Sequence, residues 1–235
     1  RSVSRGLGDV YKRQIQECIK HVVDVNWGDK TDIAPDIKMT MENAGHILGS
    51  SSVYMQIGEG KSEHRLLFSG DIKYEKSWLF DAATVRFPKV DTLVIESTYG
   101  GPQSIQPTRH QASQELQDLV SDTLSRKGKI FCPVFAVGRS QEVMLAIDEL
   151  FKSGRVPPVT VWLDGMISEA SAIHSSHPNF LNRELKKSML RGGDENPFNS
   201  SWFKQVDSRE MRETILLDPS PCIVLATSGM MTGGP

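Results

Sequence analysis

Glu42-Asn43-Ala44-Gly45-His46-Ile47-Leu48-Gly49-Ser50-Ser51-Ser52 places a single histidine between two glycines, just ahead of the alternating pattern Val53-Tyr54-Met55-Gln56-Ile57. Taken alone, such a stretch reads as a capped turn leading into a strand. Two further apolar runs change its meaning. Leu66-Leu67-Phe68-Ser69-Gly70-Asp71 ends in Gly-Asp, and Thr92-Leu93-Val94-Ile95-Glu96-Ser97-Thr98-Tyr99-Gly100 passes from apolar to polar at Glu96. His46, Asp71 and Glu96 therefore fall at or beside the polar ends of three apolar runs. Strands that end on an imidazole and on carboxylates are a good framework for a metal site. The sheet fixes the backbone, and the loop lets each side chain project without leaving backbone groups unpaired. His46 offers a nitrogen suited to zinc. Asp71 offers oxygens able to bridge two metals about 3.5–4 Å apart. Two ligands do not hold a catalytic metal, and none of His21, His64, His110, His174 and His177 forms H-x-H or H-x-x-x-H. The stretch thus contains at most half a site.

Outward from these runs, the chain changes character near Gly100-Gly101-Pro102. Before it, strands follow closely: Ile37 to Met41, Val53 to Ile57, a turn at Gly58 to Lys61, Arg65 to Ser69, and Val90 to Glu96. A helix over Ile15 to Val25 precedes them, and a long irregular link runs from Ile72 to Lys89. After residue 104, helices alternate with apolar strands. Helices are expected from Pro107 to Arg126, from Ser140 to Phe151, after Asp164-Gly165 as far as His174, from Asn179 to Leu190 and from Ser208 to Leu217. The intervening strands are Lys129 to Ala136, Val159 to Leu163 and Cys222 to Ala226, with a loop from Arg191 to Ser201. That alternation implies a parallel sheet covered on both faces. The expected units are residues 15–104 and residues 105–235.

The chain has 235 residues, 38% hydrophobic and 24% charged, with a formal net charge of −2. Such a balance supplies no global positive field, so a nucleic-acid partner has to be held by a local basic patch or by metal. Cys18, Cys132 and Cys222 are far apart and form no CxxC, which argues for reduced thiols and against a zinc ribbon. No apolar run is long enough for a membrane span, and no signal-peptide core opens the chain. A cytoplasmic location is expected. The chain lacks an initiator Met and closes on Thr232-Gly233-Gly234-Pro235 just after an apolar run, so an internal fragment of a longer protein is expected. Residues 1–14 have no apolar period and resemble translated adapter read-through. They are expected to be a non-native or disordered extension.

Asn43-Ala44-Gly45-His46-Ile47-Leu48-Gly49-Ser50, Phe68-Ser69-Gly70-Asp71, Glu96-Ser97-Thr98-Tyr99-Gly100 and Ala136-Val137-Gly138-Arg139-Ser140-Gln141-Glu142 occur in one order. In that order they resemble the metallo-β-lactamase-fold nucleases that carry a β-CASP insertion. Leu163-Asp164-Gly165-Met166, Ala172-Ile173-His174 and Ala226-Thr227-Ser228-Gly229-Met230 are similar to the archaeal homologues of the cleavage and polyadenylation specificity factor nuclease. The resemblance implies an α/β protein: part of an αββα metallo-β-lactamase sandwich joined to a β-CASP parallel-sheet domain. It also implies a zinc-dependent ribonuclease, an endonuclease with scope for 5′–3′ exonuclease action, serving RNA 3′-end processing or transcription termination.

By the same resemblance, His46 is a zinc ligand and Asp71 the aspartate shared by two Zn2+ ions. Glu96 is the acidic residue that orients a partner histidine near the leaving group, so Asp71 and Glu96 are the candidate catalytic residues. The implied partners are single-stranded RNA, a second copy of the chain, and RNA polymerase or other RNA-processing factors. The family's H-x-H-x-D-H motif is expected upstream of Ile15 and its two β-CASP histidines downstream of Pro235, so the fragment alone is expected to be inactive. Arg139, Ser228 and Gly229 are candidates for RNA-phosphate contact. For Arg139 the alternative is a role in fixing the domain interface, and for Ser228-Gly229 a plain strand-to-helix turn. His174 is read as an interface histidine, and Lys186-Lys187 with Arg191 as a solvated face. Two other readings stand beside the nuclease: a non-catalytic β-CASP subunit that holds RNA or scaffolds a complex, and a small-molecule hydrolase on the same fold.

Overall fold

Two sheets form the protein in a computed structural model that describes residues 3–191 and 196–235. The first has the strand order β1-β2-β3-β4-β5, with β1 Lys30–Ala34, β2 Ile37–Asn43, β3 Ser51–Ile57, β4 His64–Phe68 and β5 Thr92–Val94. Its first four strands are antiparallel, and β5 joins β4 in parallel. The register pairs Asn43 with Ser51, so the His46 loop is the reversal between β2 and β3. In the second sheet the order is β6-β9-β7-β8, all parallel, with β6 Lys129–Val134, β7 Val161–Asp164, β8 Phe203–Gln205 and β9 Cys222–Thr227. Parallel strands need crossovers, which here include α3 Arg139–Lys152, α4 Ile167–Ser176, α5 Arg183–Arg191 and α6 Arg209–Leu217, with α2 Arg109–Ser125 leading in. The mixed α/β class and the β-CASP-like parallel sheet match the sequence expectation.

Where the strands lie buried explains their patterns. β9 reads Cys-Ile-Val-Leu with all four side chains buried, the continuous apolar run of a doubly covered strand. β3 instead alternates, burying Ser52 and Tyr54 while their neighbours stay half exposed. The main core gathers Val134, Met144, Ile147, Val161, Ile167, Ile223 and Leu225 between the second sheet and its helices.

Some expected elements shift, and others are added. The link from Ile72 to Lys89 is irregular, as expected, and part of it runs into the interior. Leu79 and Phe80 are 0% and 3% exposed and belong to the core of the second sheet. Their apolar bulk goes where the largest buried area is available, and the turn that inserts them is tied by the Leu79 and Phe80 amides donating to Ser77 Oγ. The helix expected over Ile15 to Val25 lies earlier, as α1 Val3–Lys20. This helix runs through residues 3–14 as well, and residues 1 and 2 lie outside the described residues. Helical hydrogen bonds are local and need no partner. The described side chains from Val10 to Lys20 are all exposed. β1 and β8 were not expected; both are short and mostly polar, which hides the period-2 signal. Of the loop expected over residues 191–201, Arg191 closes α5 and Pro197–Asn199 form a 3₁₀ turn. Residues 192–195 lie outside the described residues. Among the described residues no helix is long and apolar enough to cross a membrane.

Both halves meet along one seam. Trp27 stands edge-on to Phe180 at 4.8 Å between ring centroids, and its indole N–H donates to Ser51 Oγ. Asn182 donates from its backbone to Leu79 O at 2.7 Å and from its side chain to Trp78 O at 2.7 Å. The Asn182 Oδ1 accepts the Glu184 and Leu185 amides at the start of α5, so one buried amide both caps a helix and holds the link. Lys73 pairs with Glu142 and Lys76 with Glu184 across the same seam.

Candidate metal centre

The His46 loop is built by its own small residues. Asn43 Oδ1 accepts the Gly45 amide, and Ser50 Oγ accepts the amides of both His46 and Ile47 at 3.1 Å each. Ala44 N–H closes the loop on Ser50 O. Gly45 is required twice over: its φ is +68°, and a Cβ there would lie 2.8 Å from Lys73 O and 2.9 Å from Asp81 O. The histidine is thereby presented at a fixed place with its ring free of the loop's own hydrogen bonds.

Asp71 enters from the end of β4. Phe68 pairs with Val94, and Ser69 N–H continues the ladder onto Val94 O at 2.9 Å. The buried Ser52 hydroxyl donates to Ser69 O. Beyond this the chain turns at Gly70, and the Asp71 carboxylate reaches His46, with Oδ2 3.8 Å from Nε2. The aspartate is mostly exposed and the histidine about one-third exposed, so both donors face accessible space. A cleft of about 410 Å³ lies beside them, lined by Phe68 to Asp71 and by Val94, Ile95 and Glu96.

Glu96 completes the group in a different manner. Its Oε1 accepts the Ile72 amide at 3.1 Å, and its Oε2 accepts the Thr98 amide at 3.1 Å. Its own N–H donates to Ser69 Oγ. The Thr98 hydroxyl, then the Ile72 and Thr98 amides, hold the carboxyl below the usual carboxylate range, and His46 adds to the pull. Glu96 is thus an ionised anchor that grips the residue after Asp71.

An imidazole and a carboxylate 3.8 Å apart suit zinc in donor type and in access. They are two members of a set: among the described residues, no group of three His, Cys, Asp or Glu side chains is placed to hold a metal ion. The structure brings His46 and Asp71 together as two donors that could belong to a larger ligand set. The residues that sequence reasoning missed are the positioning ones, Asn43, Ser50, Ser52 and Ser69. The run Ser50-Ser51-Ser52 was a visible signal, since short hydroxyls beside a tight loop commonly bond its amides.

The other candidates lie at the C-terminal ends of the parallel strands. Arg139 opens α3 and donates to Glu142 Oε2 at 2.7 Å. The preceding Gly138, at φ +82°, lies against Ile47: a Cβ there would be 3.3 Å from the Ile47 Cγ2. Gly138 N–H donates to the fully buried Gln141, whose amide in turn reaches Ala136 O and Ser171 Oγ. The Arg139 turn thus leans directly on the His46 loop. The Ser228 amide is engaged by Val134 O and Ala226 O, and Gly229 packs on the ring of Phe135, a residue of the β6–α3 loop. His174 is buried between Phe80 and Phe198, and its Nδ1 donates to Ala170 O at 2.7 Å. Among the described residues its Nε2 meets no hydrogen-bond partner, and burial lowers the ring's pKa below 6.5. It belongs to the packing of the seam and the core, apart from the His46 loop.

Comparison with known proteins gives these features a class. Residues 140–235, which begin at the second residue of α3 and include β7, β8 and β9, match the Beta-Casp domain. The part of the chain from α3 onward is therefore similar to a Beta-Casp domain. In particular, the chain is similar to archaeal proteins named Transcription termination factor FttA. The one from Methanosarcina mazei is 49% identical over 221 residues, 94% of this chain and 34% of that protein. Those of Lokiarchaeum and Cenarchaeum symbiosum are 46% and 47% identical over 95% and 100% of this chain, and 35% and 36% of their own lengths. The chain thus spans about a third of the length of the curated relatives it matches.

Proposed function

We propose that this chain is part of a zinc-dependent ribonuclease acting in RNA 3′-end processing or transcription termination. The observation that carries the reading is the approach of His46 to Asp71 beside the anchored Glu96, where the first sheet meets the Beta-Casp half. The names of the archaeal relatives support the termination role. In this reading His46 and Asp71 supply two of the ligands for a pair of zinc ions. Bound zinc supplies Lewis acidity toward a phosphodiester. Glu96, ionised and bonded to the Ile72 amide, fixes the direction of the Asp71 loop. The Arg139 turn seats the Beta-Casp half against the His46 loop, so single-stranded RNA lying along the seam meets both halves together.

Endonucleolytic cleavage, with 5′–3′ exonuclease action as a second mode, follows from the same reading. Self-association and contact with RNA polymerase are expected of the longer protein. The test is cleavage of single-stranded RNA by the full-length protein with zinc, with His46→Ala and Asp71→Ala compared. Loss of cleavage in both supports the proposal; full activity in either contradicts it.

A further inference from the structure

Glu142 is not one of the residues singled out by the sequence for the chemistry, yet it has the densest set of charged contacts at the seam. It lies in the first turn of α3, with its side chain 16% exposed. Its carboxylate takes Arg139 Nη1 at 2.7 Å on one oxygen and Lys73 Nζ at 3.5 Å on the other, and the Ser77 hydroxyl also reaches it. Lys73 and Ser77 both belong to the link that follows Asp71. Lys73 itself bonds the metal loop through its backbone: its N–H donates to Ala44 O at 2.9 Å, while its O accepts the Ala83 N–H of the same link and lies 2.8 Å from where a Cβ on Gly45 would stand. One lysine therefore has its backbone on the His46 loop, its chain neighbour Asp71 two residues away, and its ammonium on the Beta-Casp half.

We propose that Glu142 is a positioning residue: through Lys73 it locks the Asp71 link and the His46 loop to the Beta-Casp half. Partial burial makes the arrangement stiffer than a surface pair, because the carboxylate has cations and a hydroxyl on several sides and little access to water. Removing its charge leaves Lys73 and Arg139 facing one another without the anion between them. The link then loses its hold on α3, and both zinc-side donors shift relative to RNA held on the other half. The inference rests on the proposed nuclease reading for its activity readout. A second readout is independent of it.

The test uses the full-length protein with Glu142→Gln, Lys73→Met and the double variant. Amide hydrogen exchange at Lys73 and Ala83 is expected to quicken in Glu142→Gln, with Tm close to that of the parent. Cleavage of single-stranded RNA is expected to lose roughly tenfold in kcat with KM unchanged, since an ångström of misplacement can cost up to about a hundredfold. The double variant should be no worse than the poorer single one. Unchanged exchange at Lys73 and Ala83 overturns the inference, whatever the activity shows. So does unchanged kcat in a protein that His46→Ala inactivates, or a loss that tracks a fall in Tm. If either His46→Ala or Asp71→Ala leaves cleavage intact, the nuclease site assignment fails, and the exchange measurement alone decides the role of Glu142.

Discussion

His46 Nε2 lies 3.8 Å from Asp71 Oδ2, although one residue sits in the β2–β3 loop and the other follows β4. Antiparallel pairing of β3 between β2 and β4 puts those two loops at the same end of the sheet. The pair is therefore a consequence of strand register, and a slip of one residue would turn these side chains to the opposite face.

Gly45→Ala should damage this geometry without touching a donor atom. The new methyl would meet Lys73 O and Asp81 O at under 3 Å, at a φ that disfavours any side chain. A destabilisation of about 1–3 kcal/mol is expected, read as a lowered chemical-denaturation midpoint together with weaker zinc retention. Unaltered stability and zinc content would contradict the account of the loop.

Leu79→Ala tests the claim that the link is part of the second core. Leu79 is fully buried among the side chains of that core, and truncation there should cost about 2–5 kcal/mol. A surface connection would lose less than about 0.5 kcal/mol. Equilibrium denaturation distinguishes the two.

Glu96→Gln should change how stability depends on acid. The Glu96 carboxyl titrates below its ordinary 4.5 in the folded protein. Its stabilising contribution is thus present above about pH 4.5 and is lost as pH falls through the lowered folded value. The parent should therefore lose stability across that acid range more steeply than Glu96→Gln. Parallel Tm–pH curves below pH 5 would show that the carboxylate is not the anchor described.

His174 titrates in a different window. Its folded pKa is depressed, chiefly by burial, so the unfolded chain takes up the proton first. Stability from the neutral ring is fully present above about pH 6.5 and declines as pH falls below it toward the lower folded value. His174→Phe, which fills the space between Phe80 and Phe198, should flatten that decline. An unchanged slope between pH 5 and 7 would count against it.

How much of this was readable in the sequence follows from what each residue interacts with. His46, Asp71 and Glu96 stood out because strand ends are marked by a change from apolar to polar within a few positions, a local signal. The parallel sheet was readable for the same reason, since Val161, Leu163 and the run from Cys222 to Leu225 are apolar without alternation. Lys73, Glu142 and Asn182 were not readable. Each is an ordinary polar residue whose importance comes from a neighbour about seventy to one hundred positions away. The link hid its role likewise: Leu79 and Phe80 are two apolar residues in an irregular stretch, too few to establish a period. Arg139 had two readings in the sequence. Its 2.7 Å pair with Glu142 gives it a structural partner, and half of its side chain remains exposed.

Zinc-dependent cleavage of single-stranded RNA by the full-length protein and by its Asp71→Ala variant is the most direct trial of the central claim. The variant is expected to lose at least about a hundredfold in rate, with its thermal stability nearly unchanged because Asp71 is mostly exposed. Cleavage by Asp71→Ala at the parental rate would contradict the metal centre built from His46 and Asp71.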